Sequence, residues 1–149
     1  MHIKKLKVRD IMSENPVCCK EDARLDQVAR LMAEHDCGAI PVVEDLENRK
    51  PVGIVTDRDI VVRALAKGRN PMELTAGECL TPNPLKITTD SSVEECYALM
   101  EKKQVRRVLV VDAKGACIGI VAQADLARNL SEKEVGEVVE EVSRPSRPQ

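Results

Sequence analysis

The chain has 149 residues, of which 43% are apolar and 32% are charged, and its formal net charge is −2. This length suits one domain or two very small ones, and the apolar fraction is sufficient for a packed core. The near balance of charge disfavours a dedicated nucleic-acid binder. Aromatic residues make up only 1% of the chain, with Tyr97 as the single tyrosine, which excludes the aromatic platforms on which single-stranded nucleic acids stack.

No segment of the sequence predicts membrane insertion or secretion. The chain has no apolar run near 18 residues, and the basic start MHIKKLKVRD is not followed by the apolar stretch of a secretory signal. We therefore expect a cytoplasmic protein without a membrane partner, whose cysteines are reduced. The six cysteines are Cys18, Cys19, Cys37, Cys79, Cys96 and Cys117. None forms a C-x-x-C pair, and most lie at apolar-patterned positions, where a free thiol packs as a small hydrophobe.

An internal repeat is the most informative feature of the sequence. The Asn-Pro pair at 15–16 aligns with that at 83–84, and GIVTDRD (53–59) aligns with GIVAQAD (119–125). The repeat predicts a first unit at 8–68, a linker at 69–75, a second unit at 76–130 and a C-terminal part at 131–149. Units of about 60 residues are marginal alone, so we expect the two to share a core across a pseudo-twofold axis, with two equivalent clefts.

The elements of the first copy follow from its periodicity. A short extended stretch at 17–19 precedes a helix. The apolar positions of this helix, spaced i, i+3, i+4 and i+7, are Leu25, Val28, Ala29 and Met32. Two strands, AIPVV (39–43) and VGIVT (52–56), form a hairpin. A second helix is predicted over 57–67 and ends at Gly68, a residue suited to the conformation beyond a helix C-terminus.

The second copy repeats this order. An extended stretch at 85–87 precedes a helix that Ser91 and Glu94 open as a capping box. The apolar positions of this helix are Val93, Cys96, Tyr97 and Met100. The strands VLVV (108–111) and CIGIV (117–121) follow, joined by a turn.

These patterns predict the α+β class, with two tandem β-α-β-β-α units. A further helix is expected in the C-terminal part, before a frayed end with the sequence SRPSRPQ. The residues that would share one apolar face of that helix are Val135, Val138, Val139 and Val142.

Taken in order, these motifs resemble a tandem pair of CBS domains, also called a Bateman module. Both copies carry a G-h-h-(T/S)-x-x-D motif, and GAIPVV (38–43) and RRVLVV (106–111) resemble the family strand that precedes the hairpin. The segments TDRDIV, TAGE and QVRR further resemble short stand-alone bacterial CBS-pair proteins. The resemblance implies a non-enzymatic regulatory module that binds AMP, ADP, ATP or, in some members, NAD or S-adenosylmethionine. It also implies a homodimer, an unknown protein target and no required cofactor.

The resemblance places ligands in two clefts. The motif Asp would hold the ribose hydroxyls, the motif Thr or Ser would help at the ribose or phosphate, and Arg from the preceding strand would meet phosphate. The positions of the first cleft are Ile54, Thr56, Arg58, Asp59, Leu85, Lys86, Val105 and Arg106. The positions of the second cleft are Val17, Cys37, Gly38, Arg107, Ile120, Ala122 and Asp125.

The Thr56-x-x-Asp59 pattern has two interpretations. A carboxylate can accept two hydrogen bonds from the ribose hydroxyls, but Thr-x-x-Asp at a helix start is also a capping box. The second copy has Ala122 in place of the threonine and keeps Asp125, which favours a ligand role for the aspartate, although Gln123 could cap instead. Ala122 also departs from the family pattern, so phosphate contact at the second cleft stays open.

The other candidate residues also have alternatives. Arg106 and Arg107 are expected to point to opposite sides, towards the first and second clefts respectively, or else to lie on a solvated edge. Arg58 opposes the helix dipole, which indicates a nearby anion or pairing with a neighbouring aspartate. Gly38 either lets the backbone approach a base or permits an unusual turn. The apolar cleft residues can equally be ordinary core.

Two other functions compete with nucleotide binding. Cys18, Cys19, His35 and Cys37 could converge on Zn²⁺ or act as a thiol switch, although His-x-Cys is not a usual ligand pair. A structural dimerisation module with empty clefts is the other alternative. The sequence contains no G-x-S-x-G, Walker A or H-E-x-x-H motif, so we expect no catalysis.

Overall fold

A computed structural model describes residues 6–129 of the chain. The expected C-terminal helix and tail lie outside these residues. The chain forms two compact units. The first-repeat unit comprises Asn15–Pro84 with Lys114–Cys117, and the second-repeat unit contains the described residues 6–14, 85–113 and 118–129.

Pairs of strands are separated by helices along the described residues. The helices are α1 (Val8–Ile11), α2 (Leu25–His35), α3 (Asp57–Asp59), α4 (Ala76–Cys79), α5 (Val93–Lys103) and α6 (Gln123–Asn129). The strands are β1 (Ser13–Glu14), β2 (Cys19–Lys20), β3 (Ala39–Val43), β4 (Pro51–Thr56), β5 (Thr81–Pro82), β6 (Lys86–Thr88), β7 (Arg107–Val111) and β8 (Cys117–Ala122). The α+β class is confirmed. The short helices α1 and α4 and the edge strands β1 and β5 were not predicted.

The first-repeat unit contains a four-stranded sheet in the order β2-β3-β4-β5. Strand β2 is parallel to β3, and β3 and β4 form the predicted antiparallel hairpin, in which Ala39 pairs with Thr56. Strand β5 is antiparallel to β4, with Thr81 opposite Ile54. The edge strand β5 therefore comes from the beginning of the second repeat.

The second-repeat unit contains the matching sheet, in the order β1-β8-β7-β6. Strand β6 is parallel to β7, and β1 is antiparallel to β8, with Ser13 opposite Ile120. Its edge strand comes from the beginning of the first repeat. Each sheet is thus completed by a two-residue strand that precedes the other copy's Asn-Pro pair.

The first helix of each repeat buries one face against its unit. In α2, Leu25, Val28 and Met32 are buried as predicted, but Ala29 is exposed. Helix α5 buries Val93, Cys96 and Met100. Tyr97 lies at the margin of this face and is half-buried.

The predicted capping box at Ser91 is wrong by one residue. The N-cap of α5 is Ser92, whose hydroxyl accepts a hydrogen bond from the Glu95 N–H at 3.0 Å. Ser91 belongs to the turn before the helix, where its N–H donates to the Thr88 carbonyl at 3.2 Å. The first buried helical residue, Val93, sets the start of the helix, and the cap lies directly before it.

The helix predicted over 57–67 has these bounds but is not a regular α-helix. After α3, the chain continues as a π-helical turn at Ile60–Ala64 and a 3-10 turn at Leu65–Lys67. The Leu65 N–H donates to both the Ile60 and Val61 carbonyls. Gly68 ends the helix at a φ of 71°, as its residue type predicts.

Each unit has its own apolar core. The core of the first-repeat unit contains Cys19, Leu25, Val28, Met32, Ile40, Val42, Val55, Ile60, Ala64, Leu74, Ala76 and Cys79. The core of the second-repeat unit contains Val8, Ile11, Val93, Cys96, Met100, Val108, Val110, Val121 and Leu126. Both cores lie between a sheet and the helices of the same unit.

Candidate functional site

The motif of the first repeat lies where β4 passes into α3. Thr56 is the N-cap of α3, and its hydroxyl accepts a hydrogen bond from the Asp59 N–H at 3.1 Å. In return, Asp59 Oδ2 accepts from the Thr56 N–H at 2.9 Å. Both halves of a capping box are therefore present, as the structural interpretation of the sequence requires.

This capping box leaves part of both side chains available. The second carboxylate oxygen of Asp59 lies 3.7 Å from Arg63 Nε, beyond normal hydrogen-bond length. The Thr56 hydroxyl accepts a bond but makes no donor contact within residues 6–129. Arg58 is exposed and forms no ion pair among the described residues, so the predicted pairing of Arg58 with a neighbouring aspartate is wrong. The arrangement presents one carboxylate oxygen, one hydroxyl proton and one cation.

The motif of the second repeat keeps only half of the capping box. Asp125 Oδ2 accepts a hydrogen bond from the Ala122 N–H at 2.7 Å, as Asp59 does for Thr56. Its other oxygen is bonded to Arg128, and Asp125 is only 4% exposed. Retention of this aspartate without the threonine therefore has a structural reason. The suggestion that Gln123 caps the helix is wrong, since Gln123 is the first residue of the helix rather than the residue before it. Its Nε2 is buried without a partner in the described residues.

The glycine of each motif is required by the adjacent edge strand. A Cβ at Gly53 would lie 2.8 Å from the Thr81 carbonyl oxygen and 2.8 Å from a Leu80 methyl carbon. A Cβ at Gly119 would lie 2.5 Å from Met12 Sδ. The glycines thus allow β5 and β1 to approach β4 and β8.

Gly38 and Arg106 occupy equivalent positions before the hairpins. The Gly38 carbonyl accepts from the Asp57 N–H at 2.9 Å, and the Arg106 carbonyl accepts from the Gln123 N–H at 2.9 Å. A Cβ at Gly38 would lie 3.0 Å from an Asp57 carboxylate oxygen. Gly38 does not have a positive φ, so the interpretation as an unusual turn is wrong. The group that lies close to the Gly38 backbone is the Asp57 carboxylate. Arg106 is exposed, and Arg107 is half-buried at the start of β7.

The remaining predicted cleft residues lie at the margins of their own units. Val17 and Cys37 are partly buried against the core of the first-repeat unit. Leu85 and Val105 are partly buried against the core of the second-repeat unit. Ile54 on β4 and Ile120 on β8 are half-buried. Lys86 on β6 is exposed. A joint contribution of the two units to one cleft stays a prediction.

The family model for the CBS domain matches residues 8–65 and 76–132. The chain belongs to the CBS domain family.

Several CBS relatives are similar over nearly the whole chain. Hypoxic response protein 1 of Mycobacterium tuberculosis is 38% identical over 137 residues, which are 92% of this chain and 94% of the relative. A crystal structure of Hypoxic Response Protein I with two coordinated zinc ions covers 84% of this chain and 99% of that chain, with 38% identity and a TM-score of 0.72.

Two similar solved structures contain adenosine compounds. The CBS domain pair of protein MJ0100, in complex with 5′-methylthioadenosine and S-adenosyl-L-methionine, is 30% identical, with a TM-score of 0.73 and coverage of 83% of this chain and 94% of that chain. The protein CBSX2, in complex with AMP, is 26% identical, with a TM-score of 0.68 and coverage of 83% and 95%.

None of the six cysteines, all of which lie in the described residues, forms a disulfide. Burial raises the pKa of the Cys19 and Cys96 thiols to about 12 each, and it also raises the pKa of Cys79. These three pack in the cores, as the apolar pattern predicts. Within residues 6–129, no three His, Cys, Asp or Glu side chains come together as a metal site. None of the helices described is sufficiently long and apolar to cross a membrane.

Three arginines that contact site residues were missed by sequence reasoning. Arg63 and Arg128 lie four and three residues after the motif aspartates, a helical spacing that could have indicated the contacts. Arg49 Nη2 lies 3.2 Å from Cys18 Sγ. No sequence signal indicates that contact, because the two residues are brought together by the hairpin turn.

Proposed function

We propose that the chain is a non-catalytic regulatory CBS pair that binds an adenosine-containing ligand, such as AMP, ADP, ATP or NAD, and signals to a partner by a conformational change. Family membership supports this function, as do the adenosine compounds named for two similar structures. A ligand shifts a conformational equilibrium only by its differential affinity for the two states.

The main local support is Asp59 Oδ1, which forms only a long ion pair with Arg63. The capping bond of Asp59 uses Oδ2, whereas Oδ1 lies 3.7 Å from Arg63. A carboxylate oxygen in this position can accept hydrogen bonds from vicinal ribose hydroxyls. The Thr56 hydroxyl can donate to a ribose or phosphate oxygen, and the exposed charge of Arg58 suits a phosphate.

The two motifs differ in their readiness to bind. Both carboxylate oxygens of Asp125 are engaged, by the Ala122 N–H and by Arg128, so a ribose there must compete with Arg128. The buried side-chain nitrogen of Gln123 has no partner in the described residues. We therefore propose that the Asp59 site binds more tightly than the Asp125 site.

The residues that complete each cleft remain proposals. Leu85, Val105 and Arg106 of the second-repeat unit would contribute to the ligand site of Asp59. For the ligand site of Asp125, the contributors would include Val17 and Cys37 of the first-repeat unit. The base would be held by aliphatic side chains and backbone, since the chain offers no Phe or Trp.

We also propose that the protein is a homodimer. Five large apolar side chains of the first-repeat unit are 42–60% exposed: Leu46, Val61, Val62, Leu65 and Met72. Three of them follow one another closely on the irregular helix after α3, where a second copy could cover them.

Calorimetric titration of Asp59→Asn tests the function. Asparagine keeps an acceptor for the Thr56 N–H, so the capping bond survives while the charge is lost. Loss of a charged hydrogen bond costs about 1.5–3 kcal/mol, so the dissociation constant of the best adenosine ligand should rise by at least about tenfold. Glu47→Gln, which removes the same charge in the exposed turn between β3 and β4, is the matched control and should bind as wild type does.

Two outcomes contradict the proposal. One is unchanged affinity in Asp59→Asn, in Asp125→Asn and in the double variant. The other is the absence of binding for every adenosine ligand at millimolar concentration, which would favour a structural dimerisation module with empty clefts.

A further inference from the structure

The first-repeat unit has a cavity of about 310 Å³ that neither Asp59 nor Asp125 lines. Its walls include Cys18, His35, Leu46 and Arg49. Cys18 is half-buried directly before β2. The same thiol also lines a second cavity of about 500 Å³ along the face of α2. Cys18 is therefore reachable by small solutes, whereas the neighbouring Cys19 is buried in the core.

Arg49 is held against Cys18 by the turn between β3 and β4. Its N–H donates to the Asp45 carbonyl at 3.0 Å, and it has a positive φ of 56°. Its Nη2 donates to the Pro16 carbonyl at 2.7 Å and to Cys18 Sγ at 3.2 Å. The guanidinium forms no ion pair with a carboxylate in the described part of the chain. A thiolate at Cys18 would therefore place an anion in direct contact with this charge.

A second cysteine contacts this thiol. Cys117 is fully buried at the start of β8, and its N–H donates to the Arg49 carbonyl at 2.8 Å. Arg49 thus joins the two cysteines, because its carbonyl binds the Cys117 N–H and its guanidinium binds the Cys18 sulfur. The Cys117 side chain also lowers the pKa of Cys18 as a hydrogen-bond partner.

These contacts favour the ionised form of Cys18. The hydrogen bond from Cys117 has the largest effect, and the hydrogen bond and charge of Arg49 add to it, so that the pKa of the Cys18 thiol falls from 9.0 to about 6 despite burial. The thiolate is the nucleophilic form of cysteine. A bond from the protonated thiol to the Pro16 carbonyl, at 3.4 Å, opposes this only weakly.

We propose that Cys18 is a reactive thiolate that hydroperoxides oxidise, and that Cys117 is its resolving partner, so that the pair closes to an intramolecular disulfide. In the first step, the Cys18 sulfur attacks a peroxide oxygen, an S–O bond forms, and the O–O bond breaks. With hydrogen peroxide, the leaving hydroxide takes a proton and departs as water, leaving a sulfenic acid. In the second step, the Cys117 sulfur attacks the Cys18 sulfur, the S–O bond breaks, and the thiol proton leaves with hydroxide as a second water. Two electrons pass from the two thiols to the peroxide.

Peptide mapping after oxidation tests the disulfide. The full-length reduced protein is treated with hydrogen peroxide, blocked with N-ethylmaleimide and digested with trypsin without reduction. We expect a linked pair of the peptides 10–20 and 115–128, from protein that stays monomeric on a denaturing, non-reducing gel. Because peptide 10–20 contains both Cys18 and Cys19, the Cys18→Ser variant is digested in parallel. The linked pair should vanish in that variant, and its persistence would assign the bond to Cys19 and overturn the proposal.

Alkylation kinetics test the thiolate without any variant. The rate of Cys18 modification should be half-maximal near pH 6. Between pH 7 and pH 8 it should rise by less than about 1.2-fold, whereas a thiol of ordinary pKa gains about eightfold. N-acetylcysteine in the same buffers is the reference. A Cys18 rate that still rises severalfold between pH 7 and pH 8 would contradict the proposal.

Variants of Arg49, Cys117 and His35 separate the effect of each side chain on the reactivity of Cys18. Arg49→Gln keeps donor groups but removes the charge, so the half-maximal pH should rise. Cys117→Ser keeps a donor to the thiolate, so Cys18 should still be modified rapidly, but the sulfenic acid should persist and react with dimedone. The charged groups that line the two cavities with Cys18 and Arg49 are Lys20, Asp22, Arg30, Glu34 and His35. His35→Gln should leave the pH profile in place, and a profile that moves with this variant would assign the titration to the histidine. Failure of nucleotide binding would not affect any of these results.

Discussion

Replacement of Asp125 by alanine should destabilise the second-repeat unit even without a ligand. The carboxylate accepts the Ala122 N–H at 2.7 Å and is 4% exposed, so the variant leaves that partly buried N–H without an acceptor. Such a loss costs about 1–3 kcal/mol. The pair with Arg128, whose side chain is 69% exposed, adds at most about 1 kcal/mol. Because removal of a buried charge offsets part of this, we expect a net loss of about 2 kcal/mol.

Urea denaturation followed by circular dichroism measures this loss, and thermal melting should show a fall of about 4–8 °C. Asp125→Asn is the matched variant, because its amide oxygen can still accept the Ala122 N–H. It should lose less than about 1 kcal/mol. If alanine and asparagine destabilise equally, the charge rather than the acceptor is what matters. If Asp125→Ala unfolds within about 0.5 kcal/mol of wild type, the capping role is refuted.

Other predictions follow from the same contacts. Gly53→Ala should lower the free energy of unfolding by about 1–3 kcal/mol in a urea melt, because a Cβ there would meet the Thr81 carbonyl at 2.8 Å. Thr56→Val should cost about 1 kcal/mol and Thr56→Ser much less, because only serine keeps the cap hydroxyl. From pH 6 to pH 9, wild type should gain stability relative to Cys18→Ser, since the folded thiol, with its pKa near 6, binds fewer protons than the unfolded one at 9.0. Leu65→Glu should convert a dimer to a monomer in light scattering, and an unchanged mass would remove this surface from the interface.

Much of the fold could be predicted because the spacing of apolar residues indicates whether a segment forms a helix or a strand. The spacing of Leu25, Val28 and Met32 suffices for α2, since each of these side chains is buried in the structure. The hairpin over 39–56 could be predicted from two apolar runs separated by a polar turn. The second copy made both predictions stronger, because the same pattern occurs twice.

The short edge strands could not be predicted, because they have no periodicity. Strand β5 is two residues long and exposed, so its place beside β4 depends on the backbone approach that Gly53 permits. A glycine in a strand indicates either a bulge or a close approach. The residue type alone does not identify which segment approaches.

The candidate site could be predicted only as far as its motif. For Asp59 the sequence indicated both a ligand and a capping role, whereas for Asp125 it favoured the ligand role. The structure shows a capping bond at each aspartate. The difference between them depends on the arginine that each aspartate meets, Arg63 at 3.7 Å in one case and Arg128 in direct contact in the other. The contact of Arg49 with Cys18 spans 31 residues and follows from the hairpin geometry alone.

In the proposed function, Asp59 holds the ribose of an adenosine ligand. The most direct measurement is a calorimetric titration of the wild-type chain with AMP and with its 2′,3′-dideoxy analogue, repeated with ATP, NAD and S-adenosylmethionine if AMP gives no heat. We predict binding of one natural ligand, with at least about tenfold weaker binding of the analogue that lacks both hydroxyls. Equal affinity for the natural ligand and its dideoxy analogue would contradict the assignment of Asp59 to the ribose.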